Sequence, residues 1–219
     1  FEKIPGSPIA YWVSDRVKNL FENEESLEDI CSPKIGMMTG NNDSFIRYWS
    51  EVEHNSISFQ PIINPKKWFL HNKGGSYKKW YGNQELVLDF EDNGKNIKKN
   101  NPSVTFSNNK FYFKESISWS EISTGNFVLR YFPERFIFNI KGPSLFPESD
   151  NINYLLSLLS SKVSNKFVNM ISQTISFNAG DIKKLPIIFS KSKSTKQQID
   201  TLTQECIDIS KEEWDSRET

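Results

Sequence analysis

Apolar residues recur at helical spacing in three stretches of this chain, and at shorter, strand-like spacing in the stretch between. Val17, Leu20 and Phe21 share one face of a short helix predicted over Asp15–Asn23, with Ser14 or Asp15 placed to cap it. From Asn151 onward, Ile152, Leu155, Leu156, Leu159, Val163, Phe167 and Met170 step by three or four residues. That stepping predicts one long helix of about five turns, capped by Asp150 or Asn151. A last helix is predicted over residues 195–213, with Ile199, Leu202, Cys206 and Ile209 on its apolar face. An extended segment, residues 182–189, links the two after an Asn178-Ala179-Gly180 turn.

Between Met37 and Pro147 the punctuation is that of strands. Residues 56–60, 85–90, 110–113, 116–120, 126–132 and 135–139 are β-type runs. Asn-Pro, Gly-Gly, Gly-Asn, Asn-Gly and Asn-Asn pairs divide them, favouring turns and tolerating positive φ. The expected fold is α+β: an irregular, mostly antiparallel β domain with long loops, then a long helix and a C-terminal helical spacer. Three segments are expected: a connecting segment at 1–33, the main domain at 34–194, and the start of the spacer at 195–219.

Composition changes this picture little. Aromatic residues make up 14% of the 219 residues, enough to build a buried core and to exclude a disordered tail. Cys31 and Cys206 stand far apart and outside any CxxC pair, as reduced thiols in a cytoplasmic protein would. No run approaches ~18 consecutive apolar residues, so no membrane span is expected. The chain opens on FEKIPGSPIAYW and closes on SKEEWDSRET, and both ends read as cut from something longer.

Charge changes it more. Residues 1–33 hold 3 Lys/Arg against 7 Asp/Glu, and residues 195–219 also hold 3 against 7. Residues 34–114 hold 12 against 7 and residues 115–194 hold 9 against 6, so a net charge of zero hides a centre of +8. A basic centre suits a polyanion, because neutralised phosphates supply much of the affinity for nucleic acid. Segregation onto solvated faces would give the same count.

Several chemistries lack their residues. No Asn/Asp-Pro-Pro-Tyr/Phe element is present to hold a flipped adenine, and no GxGxxG or GxxxxGK[ST] loop occurs. His54 and His71 have no metal-ligand partners at a suitable spacing. Asp89, Glu91 and Asp92 could serve a metal-dependent nuclease, but beside Asn93-Gly94 they read as turn residues. The serines lack a partner His in any triad arrangement.

Three segments carry possible recognition chemistry. In Gly36-Met37-Met38-Thr39-Gly40-Asn41-Asn42-Asp43-Ser44-Phe45-Ile46-Arg47, the polar groups of Thr39, Asn41 and Asn42 can meet phosphate, and Arg47 can bind phosphate or guanine bidentately. The alternative is an Asn-rich turn before a strand, with Arg47 in a surface ion pair. In Lys73-Gly74-Gly75-Ser76-Tyr77-Lys78-Lys79-Trp80-Tyr81-Gly82-Asn83, lysines interleave with flat rings that could stack on bases. Here the alternative is a hairpin whose aromatics are core. The third segment, residues 176–187, reads as a turn docking the helical part on the β part, with Lys183 and Lys184 free to touch phosphate.

Taken in order, IPGSPIAYW, GMMTGNNDSFIRYWSEV, KGGSYKKWYGN, ISWSEIS, FVLRYFPERFIFNIKGPSLF, YLLSLLSSKVSNKFV, FNAGDIKKLPI and SKEEWDS resemble the C-terminal half of PglX-type adenine-specific DNA methyltransferases. These belong to BREX phage-defence systems; related Type IIG restriction–modification enzymes share the pattern. The resemblance covers nearly the whole chain and implies a target-recognition region like the specificity domain of TaqI-like methyltransferases. It implies double-stranded DNA as partner, an upstream methyltransferase domain of the same chain that uses S-adenosylmethionine, and no cofactor or catalytic residue in this stretch. The DNA-facing residues expected from the two loop segments are Thr39, Asn41, Asn42, Arg47, Lys73, Tyr77, Lys78, Lys79, Trp80, Tyr81 and Asn83. The family commonly has Arg where this chain has Lys78, which keeps the charge but loses the bidentate fork. A scaffold that binds other defence-system subunits is the alternative function.

Overall fold

A computed structural model describes residues 13–172 and 174–218. The IPGSPIAYW segment, residues 4–12, therefore lies outside the described residues. In chain order, α1 (Asp15–Asn23), α2 (Leu27–Ile30) and α3 (Asn42–Phe45) precede β1 (Ile46–Tyr48), β2 (Ile57–Ser58), β3 (Trp68–Asn72) and β4 (Leu86–Asp89). Then come α4 (Glu91–Asn100), β5 (Ser116–Ser118), β6 (Arg130–Phe132), β7 (Ile137–Phe138) and β8 (Ser144–Leu145). The C-terminal part is helical: α5 (Ile152–Leu159), α6 (Lys162–Ile171), α7 (Ala179–Ile182) and α8 (Lys193–Glu218). The fold is α+β. Among the described residues no helix is long and apolar enough to cross a membrane.

Two sheets make the β part. In the first, the order is β1-β4-β3-β2, with β7 also on β3. β3 is its centre: β4 runs antiparallel along one edge, while β2 and β7 run parallel along the other, at Trp68–Phe69 and at His71–Asn72. The second sheet has the order β6-β5-β8, antiparallel throughout. The period-2 alternation of a strand sorts the core. Phe69 and Leu88 enter an aromatic cluster with Phe45, Phe90, Tyr112 and Phe138, whereas Leu70 and Val87 join Ile57, Phe132 and Phe136. The largest cluster lies between the second sheet and the helices, built on Ile117, Trp119, Leu129, Leu155, Leu156, Phe167 and Ile207.

The structure corrects several sequence expectations. Residues 110–113 are not a strand: Asn109–Phe111 form one 3-10 turn, because Asn108 (φ 55°) and Phe113 (φ 62°) take left-handed backbone. The long helix expected from Asn151 is two helices. Ser161 caps the second, its Oγ accepting from Ser164 N at 3.1 Å, while Ser160 Oγ accepts from Leu129 N at 3.2 Å. The apolar period runs through this break because both helices cover one sheet. Asn178-Ala179-Gly180 is the start of α7, with Asn178 as its N-cap, rather than a plain turn.

In α8 the buried positions are Thr203 and Ile207, while Leu202 and Ile209 face outward, 60% and 68% exposed. Thr203 can be buried because its hydroxyl donates to Ile199 O at 2.7 Å. The strands β3 and β8 were not anticipated, and β1 only as the strand that the alternative reading put after the Asn-rich turn. β3 ends in His71 and Asn72, polar residues whose burial depends on distant partners.

The expected docking of residues 176–187 is observed. Trp119 Nε1 donates to Phe177 O at 2.7 Å, and Phe177 N donates to Glu121 O at 2.6 Å.

Candidate nucleic-acid interface

The loop between β3 and β4, residues 73–85, is held at its neck. Asn72 Nδ2 donates to Ser118 Oγ at 2.7 Å, tying the first sheet to the second, and Asn72 Oδ1 accepts from Gly74 N at 3.1 Å. Gly74 takes φ 77°, and a Cβ there would stand 2.5 Å from Lys141 O, so the position admits only glycine without strain. Asn83 (φ 56°) closes the neck from the other side, its Nδ2 donating to Ser76 O at 2.8 Å. Farther along, Trp80 N donates to Leu129 O at 3.2 Å and Tyr131 N donates to Trp80 O at 2.8 Å, so the loop lies along β6.

That pairing places Arg130 beneath the loop. Its side chain is 1% exposed. Nη2 donates to Ser120 Oγ at 3.0 Å and Nη1 to Lys78 O at 3.4 Å, while Nε makes no hydrogen bond. Burial pushes its pKa down to about 10, against the pull of Glu85, so the guanidinium is still charged at neutral pH. Arg130 lines a small polar pocket with Ser76, Tyr77, Ser120, Ser123 and Asn126. Tyr77, 55% exposed, stands at its rim. The pocket is of water size, so a phosphate or base edge would meet the exposed ring and the hydroxyls at its rim, with the buried guanidinium holding positive charge beneath them.

The other expected site residues fall into distinct places. Tyr81 is 5% exposed and belongs to the main core. Trp80 packs against the same core half-buried, with Lys79 Nζ 4.4 Å from its ring centre and the Lys79 pKa lowered by burial. Lys78 lies over Trp214 of α8 at 5.6 Å. Lys73 is half-buried and Asn83 is buried. Thr39 is buried too, its Oγ1 donating to Asn42 Oδ1 at 2.7 Å, and Asn41 caps α3 by accepting from Ser44 N at 3.1 Å. Arg47 Nη1 donates to Asp43 O at 2.5 Å and Ile46 O at 2.7 Å, folding the side chain back on its own loop.

Register decides which of these meet. β1 is antiparallel to β4 with Ile46 opposite Leu88 and Tyr48 opposite Leu86. Residues 39–45 therefore sit at the Asp89 end of β4, and residues 73–83 enter at its Leu86 end. The structure brings the second segment together with Arg130, Ser120 and Asn126, and leaves the first at the opposite end of the sheet. Arg130 was legible only as a strand residue; pairing with the 73–83 loop makes it part of a pocket.

The remaining candidates have local roles. Asp89 faces Lys67 at 4.0 Å, and Asp92 (φ 48°) lies in a left-handed turn before the main body of α4. Among the described residues, no three His, Cys, Asp or Glu side chains gather as a metal site. Lys183 pairs with Glu28 at 2.9 Å and Lys184 with Asp181 at 3.3 Å.

No known family model matches the chain. Over its whole length it is 40% identical to the adenine-specific methyltransferase PglX of Lacticaseibacillus casei (strain Zhang) and 34% identical to the adenine-specific methyltransferase BrxX of Escherichia coli O9:H4 (strain HS). It covers 19% of the first protein and 18% of the second, and so spans about a fifth of the length of these relatives. Over its whole length the chain is thus similar to a segment, about a fifth, of the PglX and BrxX adenine-specific methyltransferases.

Proposed function

We propose that this chain is the double-stranded-DNA recognition region of an N6-adenine DNA methyltransferase of phage defence, without catalytic groups of its own. The observation that carries the reading is the pocket of Arg130 and Tyr77 under a glycine-necked, lysine-bearing loop. Its charge, its exposed ring and its rigid frame suit a base or phosphate presented by DNA. Residues 34–194 form the recognition domain, residues 195–219 begin a helical spacer, and residues 1–33 connect to an upstream methyltransferase domain in the cytoplasmic full-length protein. The acidic ends face those neighbours rather than DNA.

S-adenosylmethionine is assigned to the upstream domain. The Gly74–Gly75 loop does not fit it, because the chain returns antiparallel into β4 instead of opening a helix whose N-terminus would hold the cofactor.

A second reading, a docking scaffold for other defence-system subunits, draws on the outward Leu202 and Ile209 of α8 and on an apolar groove lined by Trp80, Tyr154, Leu158, Leu202 and Cys206. Polarisation binding by the full-length protein separates the two. The duplex carries the adenine motif that methylome sequencing finds only in hosts with the gene. Tyr77→Ala is expected to lower the preference for that motif over a scrambled duplex by roughly tenfold or more. Lys78→Ala with Lys79→Ala is expected to lower affinity for both duplexes. Unchanged binding in both variants removes this loop from the interface.

A further inference from the structure

A second cationic feature lies across the second sheet from Arg130. The single 3-10 turn Asn109–Phe111 is pinned by Asn108, whose Nδ2 donates to Ile35 O at 2.9 Å. Lys34 is fixed next to it: Lys34 N donates to Ser144 O at 2.8 Å and Ser144 N donates to Lys34 O at 2.9 Å. The Phe111 ring lies on Phe146 with centroids 4.8 Å apart, and Phe146 contacts Phe138 of the aromatic core. This platform is rigid, and three ammonium groups converge on it. Lys34, Lys110 and Lys114 place Nζ 5.7, 5.4 and 5.5 Å from the Phe111 centroid.

Among the described residues, none of the three has an acidic partner within ion-pair distance. One ring offsets part of their mutual repulsion, worth about 0.5–1 kcal/mol per cation at exposed sites, and supplies no full negative charge. The arrangement is thus short of an anion.

Register relates this cluster to the pocket. Arg130 is paired with Ser118, Ser118 with Ser144, and Ser144 with Lys34, so the four form one row across the sheet. Residues paired this way share a face. Three strand spacings of ~4.8 Å put the backbones of Arg130 and Lys34 roughly 14 Å apart, comparable to the ~12 Å width of a major groove, with Ser118 and Ser144 between them buried under Asn72. The neck of the 73–83 loop at Asn72 lies between them.

Given the DNA-recognition reading above, on which this rests, we infer that Lys34, Lys110 and Lys114 form a phosphodiester clamp. They grip the DNA backbone on one side of a groove while the Arg130–Tyr77 pocket faces the other. Lysine ammoniums on flexible stems hold charge without fixed geometry, so the clamp fixes position and carries no sequence information.

The test measures the salt dependence of affinity for a random-sequence DNA duplex by the full-length protein. Three variants are compared: wild type, the triple variant Lys34→Ala/Lys110→Ala/Lys114→Ala, and the triple Lys→Arg variant. Each phosphate contact adds about 0.9 to the slope of log affinity against log salt. The Ala variant is expected to lose about 2 to 3 from that slope and to bind roughly tenfold or more weakly, with its melting temperature unchanged. The Arg variant is expected to restore both. A steep wild-type slope that the Ala variant keeps overturns the clamp and leaves the DNA reading standing. Loss of motif preference in place of slope also overturns it, since the lysines would then read bases. Salt-independent or absent binding by the wild type overturns both.

Discussion

Asn72 and Ser118 join the two sheets: the Asn72 amide donates to the Ser118 hydroxyl at 2.7 Å, although 46 residues separate them in sequence. The same amide group reaches Gly142 O and Ser144 Oγ at 3.4 Å, and its carbonyl oxygen accepts from Gly74 N. One buried side chain therefore aligns the sheets and sets the direction in which the 73–83 loop departs.

Asn72→Ala leaves Ser118, Ser144 and Gly74 N short of partners in a buried place. The expected cost is about 2–3 kcal/mol, or roughly 5–10 °C in the melting temperature of a chain this size. Thermal unfolding followed by circular dichroism checks it, and a loss below about 0.5 kcal/mol would show that the sheets are held elsewhere.

Two glycines near the loop should respond oppositely to alanine. Gly74→Ala puts a Cβ 2.5 Å from a backbone carbonyl at φ 77° and is expected to cost roughly 1–3 kcal/mol. At Gly125 the nearest atom, Tyr77 Cδ2, is at an ordinary 3.4 Å, and Gly125→Ala is expected to stay within about 0.5 kcal/mol. Denaturant melts of the two variants side by side measure the difference.

Tyr77 and Tyr81 differ by four positions and by almost everything else. Tyr81→Ala empties a core site and is expected to destabilise by about 3 kcal/mol. Tyr77→Ala removes an exposed ring and is expected to leave the melting temperature within a degree or two while altering DNA binding. Equal melting shifts in the two variants would contradict the burial that separates them.

His71 gives the fold a pH dependence. It is fully buried on β3, facing Asn139 at 3.5 Å, and burial pushes its pKa down to about 3 from an ordinary 6.5. The folded state resists the proton that the unfolded chain accepts, so stability is full above pH ~6.5 and declines as pH falls toward 3. The expected slope is about 1.4 kcal/mol per pH unit below 6.5. Urea melts between pH 7 and pH 4.5 measure it, and in His71→Gln this part of the slope should vanish.

Local pattern determined a good part of this protein. The helix Asp15–Asn23 stands where Val17, Leu20 and Phe21 placed it, and the basic centre and the α+β division are properties of the chain itself. Periodicity reports that one face will be buried, and nothing about what will bury it. It therefore ran through the break at Ser160 and Ser161, put Leu202 and Ile209 on the inner face of α8, and passed over β3, whose polar end is stable only beside Ser118 and Asn139. The candidate site shows the same divide. The 73–83 loop was visible as lysines among rings, but its Trp80 and Tyr81 serve the core. The buried cation beneath it comes from Arg130, whose guanidinium meets Lys78 O across 52 residues. Lys34 meets Lys110 and Lys114 over Phe111 in the same way. Such meetings are fixed by strand register and by the partners a buried polar group must find, and tertiary structure alone supplies both.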